Sequence, residues 1–264
     1  MSFEVGVLGI FKFLKDLFNS SEKEAVVEPT IQTELNEKIE TKTFSPKQEI
    51  KVVGKSVDDS LKELRRLKYS QSNFNLKNNL ECEVLNYLVA KENSNYNVYW
   101  NLYVPYGIGK YMQIDHLVVT DNTIYMIECK DYKTCTSLEV FAEHWECYYN
   151  SGKVYKSANG ADQNRKHINV LKKYLKDLSF EYKSIVALVV DNNFEGYIPD
   201  EDVILVRKKE EELLYKLLDR KIKNEYSSDI NNEFVEVNKK IYSCMNPSED
   251  VIKAHRDNIK EKYK

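Results

Sequence analysis

Residues 113–130, QIDHLVVTDNTIYMIECK, set the tightest limit on what this chain can fold into. Two runs of apolar and β-branched residues flank Asp121-Asn122, and both turn residues tolerate the left-handed backbone of a tight hairpin. A turn there pairs Thr120 with Thr123. Counting outwards sets Leu117 against Met126, Asp115 against Glu128 and Gln113 against Lys130. Alternation by two then puts Asp115, Glu128, Gln113 and Lys130 on one side of the sheet. Directly opposed side chains have Cβ atoms roughly 4.5–5.5 Å apart. Two carboxylates about 5 Å apart repel by about 3 kcal/mol at an effective dielectric of ~20. A shared proton, a neighbouring lysine or a bound cation relieves such a pair. The pattern has the shape of a metal site; an ion pair between Asp115 and Lys130 across the sheet is the plainer explanation.

Around this hairpin the chain alternates helix and strand. DDSLKELRRLKYS spaces Leu61, Leu64 and Leu67 behind an acidic start, and NLECEVLNYLVAKE aligns Leu80, Val84, Leu85 and Leu88 on one helical face. YNVYWNLYVP reads as a strand ahead of the hairpin. A helix over residues 162–178 carries Ile168, Leu171, Tyr174 and Leu175 as its apolar stripe. SIVALVV has the unbroken apolar run of a central strand, and DVILV reads as another. Helical stretches follow over residues 208–223, 229–245 and 248–262. This order specifies an α/β fold with a mixed central sheet flanked by helices.

Both ends extend beyond that core. In residues 1–19, Phe3, Val7, Ile10, Phe11, Leu14, Leu17 and Phe18 share one helical face, while Lys12, Lys15 and Asp16 fall elsewhere. The segment is too short and too charged for a membrane span and lacks a small-residue cleavage site. It reads as an amphipathic N-terminal helix that packs on the body, on a second copy or on a partner protein. Peripheral membrane contact is the sharper alternative. Residues 20–57 read as a flexible polar linker, 58–206 as the core and 207–264 as a helical C-terminal region, a second surface for self-association or a partner.

Charge sets a condition on one broad class of partner. A net charge of -3 gives no global attraction for nucleic acid, so any such binding needs a local patch. NRKHINVLKKYLK supplies Arg165, Lys166, Lys172, Lys173 and Lys176, and LKELRRLK adds Lys62, Arg65, Arg66 and Lys68. Phosphate contacts need such cations, although each stretch also reads as a solvated helix face. The 5 cysteines are odd in number and form no CxxC, which points to a reducing, cytoplasmic setting without a zinc or disulfide framework.

Glu81 on the helix before the strands, Asp115, Glu128 with Lys130, and Gln163 opening the later helix occur in a telling order. It resembles the NERD (nuclease-related) domain, a branch of the restriction-endonuclease-like PD-(D/E)xK phosphodiesterases. LECEVLNYL matches the family's Gly-Glu helix, QIDHLVV its Gln-Ile-Asp-His strand and IECK its Glu-x-Lys strand. Trp145 follows the hairpin, and NGADQNRKHI stands for an Asn-Pro-x-x-Gln segment. The likeness covers about residues 75–192, with Leu80 in place of the family's glycine and Gly160 in place of its proline. Glu83 lies about 200° round the helix from Glu81, so one of the two turns inwards, and the family frame puts Glu81 there.

The resemblance implies a restriction-endonuclease-like core and Mg²⁺-dependent cleavage of DNA, with Mn²⁺ as a substitute and RNA left open. It assigns Asp115, Glu128, the Cys129 backbone carbonyl and Glu81 to the metal. Lys130 then orients the attacking water and Gln163 fixes the water or a phosphate. His116 points away from Asp115 and reads as packing, and Trp145 as core. Bacterial nucleic-acid processing or defence is the setting in keeping with the family. A catalytically silent nucleic-acid-binding or scaffold module with the same fold is the competing expectation.

Overall fold

The computed structural model describes residues 56–71, 79–223 and 232–262. The expected helix over residues 1–19 and linker over 20–57 lie outside them, apart from Ser56 and Val57. Ser56 caps the first described helix, α1 (Val57–Gln71): its Oγ accepts the Asp59 N–H at 3.1 Å and donates to Asp59 Oδ2 at 2.8 Å. α2 (Asn79–Val89) follows, and of the residues that their spacing singles out the two helices bury Leu61, Leu64, Leu80, Val84, Leu85 and Leu88, with Leu67 partly buried.

Three strands come next: β1 (Asn97–Gly107), β2 (Lys110–Val119) and β3 (Thr123–Tyr132). The β2–β3 turn forms as the Asp-Asn pair predicts. Thr120 donates its N–H to Thr123 O at 2.9 Å, and Leu117 pairs with Met126. The chain then makes β4 (Cys135–Val140), β5 (His144–Tyr149) and β6 (Val154–Ala158) before α3 (Gly160–Tyr174) returns it to β7 (Glu181–Val190) and β8 (Val203–Arg207). The main sheet runs β1-β2-β3-β7-β8, antiparallel among its first three strands and parallel from β3 to β8. This is the mixed α/β architecture the sequence specifies.

Strands β4, β5 and β6 form a separate antiparallel sheet. It packs Cys135, Trp145 and Cys147 against Val186, Leu188 and Val190 of β7 in a second apolar cluster. Helix α3 covers the neighbouring stretch of β3 and β7. Buried Asn164 pins it there, donating from Nδ2 to Met126 O at 3.2 Å and Ile185 O at 3.0 Å. The helix starts at Gly160, two residues before the expected position, because Asn159 Oδ1 accepts the N–H groups of Ala161 (3.1 Å) and Asp162 (3.2 Å). It ends at Tyr174, and Leu175 fills the core just beyond.

α4 (Glu211–Lys221), α5 (Asn232–Ser243) and α6 (Glu249–Lys262) complete the described chain. The apolar faces of α4 and α5 belong to the main core, through Leu214, Leu218, Phe234, Val237 and Ile241. The chain from α5 to α6 also meets the β1–β2 hairpin with polar contacts. Tyr99 Oη donates to Asn238 Oδ1 (2.7 Å), Tyr103 N–H to Cys244 O (2.9 Å) and Asn258 Nδ2 to Gly109 O (3.1 Å), and His255 Nδ1 lies 2.8 Å from Tyr111 O. No described helix is long and apolar enough to cross a membrane.

Candidate active site

Asp115 sits where two strand ladders lapse. β1 and β2 pair Trp100 with His116 and Leu102 with Ile114, but skip the position between, where Asn101 has a left-handed φ of 48°. On the other edge, the β2–β3 ladder runs from Val119–Ile124 to His116–Ile127 and stops. The expected Asp115–Glu128 and Gln113–Lys130 ladder pairs therefore do not form. Asp115 Oδ2 instead accepts the Cys129 N–H at 3.0 Å, and Gln113 Nε2 donates to Asn101 Oδ1 at 3.0 Å. β3 meanwhile stays paired with β7 as far as Tyr132, so Glu128, Cys129 and Lys130 remain on a fixed strand.

Lys130 joins three elements. Its Nζ lies 2.8 Å from Glu128 Oε1 and donates to Gln163 Oε1 at 3.0 Å. Gln163 reaches it from the first turn of α3, where its N–H bonds Asn159 O at 2.8 Å. Gly160 allows this approach: a Cβ there would lie 3.0 Å from Val186 Cγ1, 3.3 Å from Trp145 Cη2 and 3.5 Å from Lys130 Cε. A glycine in the family's proline position thus lets α3 close down on the lysine stem.

Glu81 comes from the first turn of α2 and is only 5% exposed, beside Glu128 at 4%. Their convergence registers on the Cys129 thiol, which burial pushes well above its ordinary pKa. The charges of Asp115, Glu81 and Glu128 raise it further and Lys130 opposes them. Three carboxylates and one ammonium therefore act on one buried sulfur, Asp115 through its bond to the Cys129 N–H and Glu128 through its pairing with Lys130 on the same strand. Glu83 faces elsewhere: Lys133 lies 3.7 Å from it and 3.5 Å from Glu211, and partial burial raises the Glu83 pKa against the pull of Lys133. The inward glutamate is Glu81.

His116 is fully buried with its Nδ1 3.7 Å from Cys129 Sγ. Burial drives its pKa down to about 3, against a smaller upward pull from the Glu81 backbone, so the ring is neutral. Trp145 is wholly buried in the second cluster, out of reach of a nucleobase.

The cations divide. On α3, Lys172 and Lys173 are exposed, with Lys172 Nζ 5.2 Å from the Tyr182 ring centroid. Arg165 pairs with Asp200 at 3.1 Å and Lys166 with Asp162 at 2.8 Å. On α1, Lys62 and Arg66 are exposed and Arg66 pairs with Glu63 at 2.6 Å. Lys68 is a correction. It is 1% exposed, bonded to Glu92 and to Val98 O (2.8 Å), and no phosphate can reach it.

The donors at the site are oxygens, which suits a hard divalent cation. Among the described residues, no three His, Cys, Asp or Glu side chains are gathered as a ready-made metal cage. Mg²⁺ needs none, since one or two carboxylates with waters and a substrate phosphate ordinarily hold it. Sequence reasoning missed Asn101 altogether, and it matched Asn159 to the family's segment without giving it a role. The second had a readable signal, a capping residue directly before a helix.

Comparison with curated proteins and with solved structures finds no match. Residues 76–190 match the family model of the nuclease-related domain, a span that contains Glu81, Asp115, Glu128, Lys130 and Gln163. The chain carries a nuclease-related (NERD) domain over this span, and its mixed sheet and Asp, Glu-x-Lys order are consistent with the PD-(D/E)xK phosphodiesterases.

Proposed function

We propose that this chain is a divalent-metal-dependent nuclease that hydrolyses phosphodiester bonds in DNA. One observation carries the reading: at a break in the sheet, inside a nuclease-related domain, Asp115 is bonded to the backbone between Glu128 and Lys130, and Lys130 is held by Glu128 and Gln163. Asp115 and Glu128, with the Cys129 carbonyl and Glu81, are the groups to hold Mg²⁺ or Mn²⁺. A bound ion supplies charge stabilisation for the phosphoryl oxygens and an acidified water. Lys130, steadied by Glu128 and Gln163, presents a localised positive charge that orients a water and offsets negative charge developing in the transition state. Gln163 can accept from a water and donate to a phosphate. Exposed Lys172 and Lys173 offer phosphate contacts along α3. A bacterial cytoplasm, with a role in nucleic-acid processing or defence, is the setting that fits the family.

Titrating Mg²⁺ into the wild type and into Asp115→Asn, read by calorimetry alongside plasmid nicking, tests this reading. Metal binding and nicking in the wild type, both lost in Asp115→Asn, support it; nicking that survives the substitution removes the site. The absence of a three-residue acidic cage among the described residues favours a second reading, a silent nucleic-acid-binding or scaffold module. DNA binding without turnover under any divalent metal would establish that one.

A further inference from the structure

The turn between β4 and β5 presents an aromatic pair to solvent and is tied through Asn159 to the start of α3. Phe141 donates its N–H to His144 O at 2.9 Å, and the two rings stack with centroids 4.6 Å apart at an interplanar angle of 8°. Phe141 is 42% exposed and the His144 side chain 32%. His144 Nε2 lies 3.3 Å from Glu146 Oε1, which Lys156 also holds at 2.8 Å, so the imidazole is tethered from behind.

This turn is fastened to the start of α3. Asn159 Nδ2 donates to Phe141 O (3.0 Å) and Ala142 O (3.4 Å), and the Asn159 N–H donates to Glu143 O (3.2 Å). The next residue, Gly160, lies against the Lys130 stem. Gln163 stands three residues further on, about 4.5 Å along the axis. The stacked pair thus shares a rigid frame with the residues assigned to catalysis.

Stacking covers one face of the Phe141 ring by His144 and leaves that residue substantially open to water. Neither apolar cluster includes it, so its role is not core packing. Every nucleobase has a π-face that stacks on such a ring. In a duplex those faces are covered by neighbouring base pairs, so only an unpaired base can make the contact. Exposed Glu139 and Glu143 beside the turn repel phosphates, so a strand reaches it with a base rather than with its backbone.

We infer that the Phe141–His144 stack is a platform for an unpaired base of the DNA strand entering the site, favouring single-stranded or locally opened DNA. The inference rests on the nuclease reading above. It is tested by binding of the full chain, without divalent metal, to a single-stranded oligodeoxynucleotide containing 2-aminopurine and to the blunt duplex of the same sequence. The wild type binds the single strand more tightly and quenches the probe. Phe141→Ala weakens single-strand binding by about 10-fold and abolishes quenching, while duplex affinity changes by less than about 2-fold. Phe141→Trp restores both signals, and an unchanged melting temperature shows that the fold is intact. Single-strand binding that Phe141→Ala leaves unaltered, or equal losses on both ligands, overturns the platform alone. A wild type that binds neither oligonucleotide overturns the platform together with the nuclease reading.

Discussion

Two lysines at opposite regions of the sheet carry similar partners and do different work. Lys68, on α1, lies at the start of β1 with Glu92 on one side, Val98 O on another and the Tyr99 and Trp100 ring centroids 5.1 and 5.5 Å away. Glu92 in turn accepts the Val98 N–H at 2.6 Å. Burial lowers the Lys68 pKa and Glu92 pulls it back, so one acid answers one base in a closed box. Lys130 also sits on a glutamate, but its side chain is 12% exposed and three carboxylates crowd the same neighbourhood. A balanced, sealed pair fastens a helix to a strand. An unbalanced, partly exposed one leaves negative charge without a matching cation of its own.

Breaking the sealed pair is expected to have the largest effect. Lys68→Ala leaves Glu92 buried without its partner and should lower stability by about 3–5 kcal/mol, measured by urea unfolding. Asp115→Ala or Lys130→Ala should leave the melting temperature close to that of the wild type and reduce DNA cleavage by about 10²–10³-fold or more. A stability loss in Lys130→Ala as large as that in Lys68→Ala would erase the contrast.

Between the two regions, His116 gives a smaller and pH-dependent effect. Its folded pKa of about 3 lies below the unfolded value of 6.5, so below pH 6.5 the unfolded chain binds a proton that the folded chain refuses. Stability should therefore fall as pH drops from 6.5 towards 3, by at most about 1.4 kcal/mol per pH unit. Urea midpoints of the wild type and His116→Asn across this range measure it, and parallel curves would refute it. Glu83→Gln should do least, shifting stability by about 0.5 kcal/mol or less and leaving cleavage intact, because its partner Lys133 keeps Asp131 and Glu211.

Much of the main sheet was legible because its signals are local. The Asp-Asn turn fixes the Thr120–Thr123 pairing, and alternation fixes Leu117 against Met126. Glu128, Lys130 and Gln163 do come together, although Lys130 is met by α3 rather than by Gln113. The break at Asp115 was not legible, because it depends on the backbone of Asn101, a residue from another strand. Lys68 was misread for the same reason: its partner Glu92 stands on a loop beyond the following helix. The small sheet escaped notice because its strands span only five or six residues and mix polar with apolar side chains rather than forming apolar runs.

The hydrogen bonds from the β1–β2 hairpin to Asn238, Cys244, His255 and Asn258 bear on how this molecule can be cut. All four partners lie beyond residue 190, where the family match ends. A fragment trimmed to that match would lose the lids over Tyr99 and Tyr103 and uncover leucines and valines that α4 and α5 now shelter. The nuclease-related domain is therefore not transplantable as its family boundaries draw it, and a graft of it must carry the tail through α6.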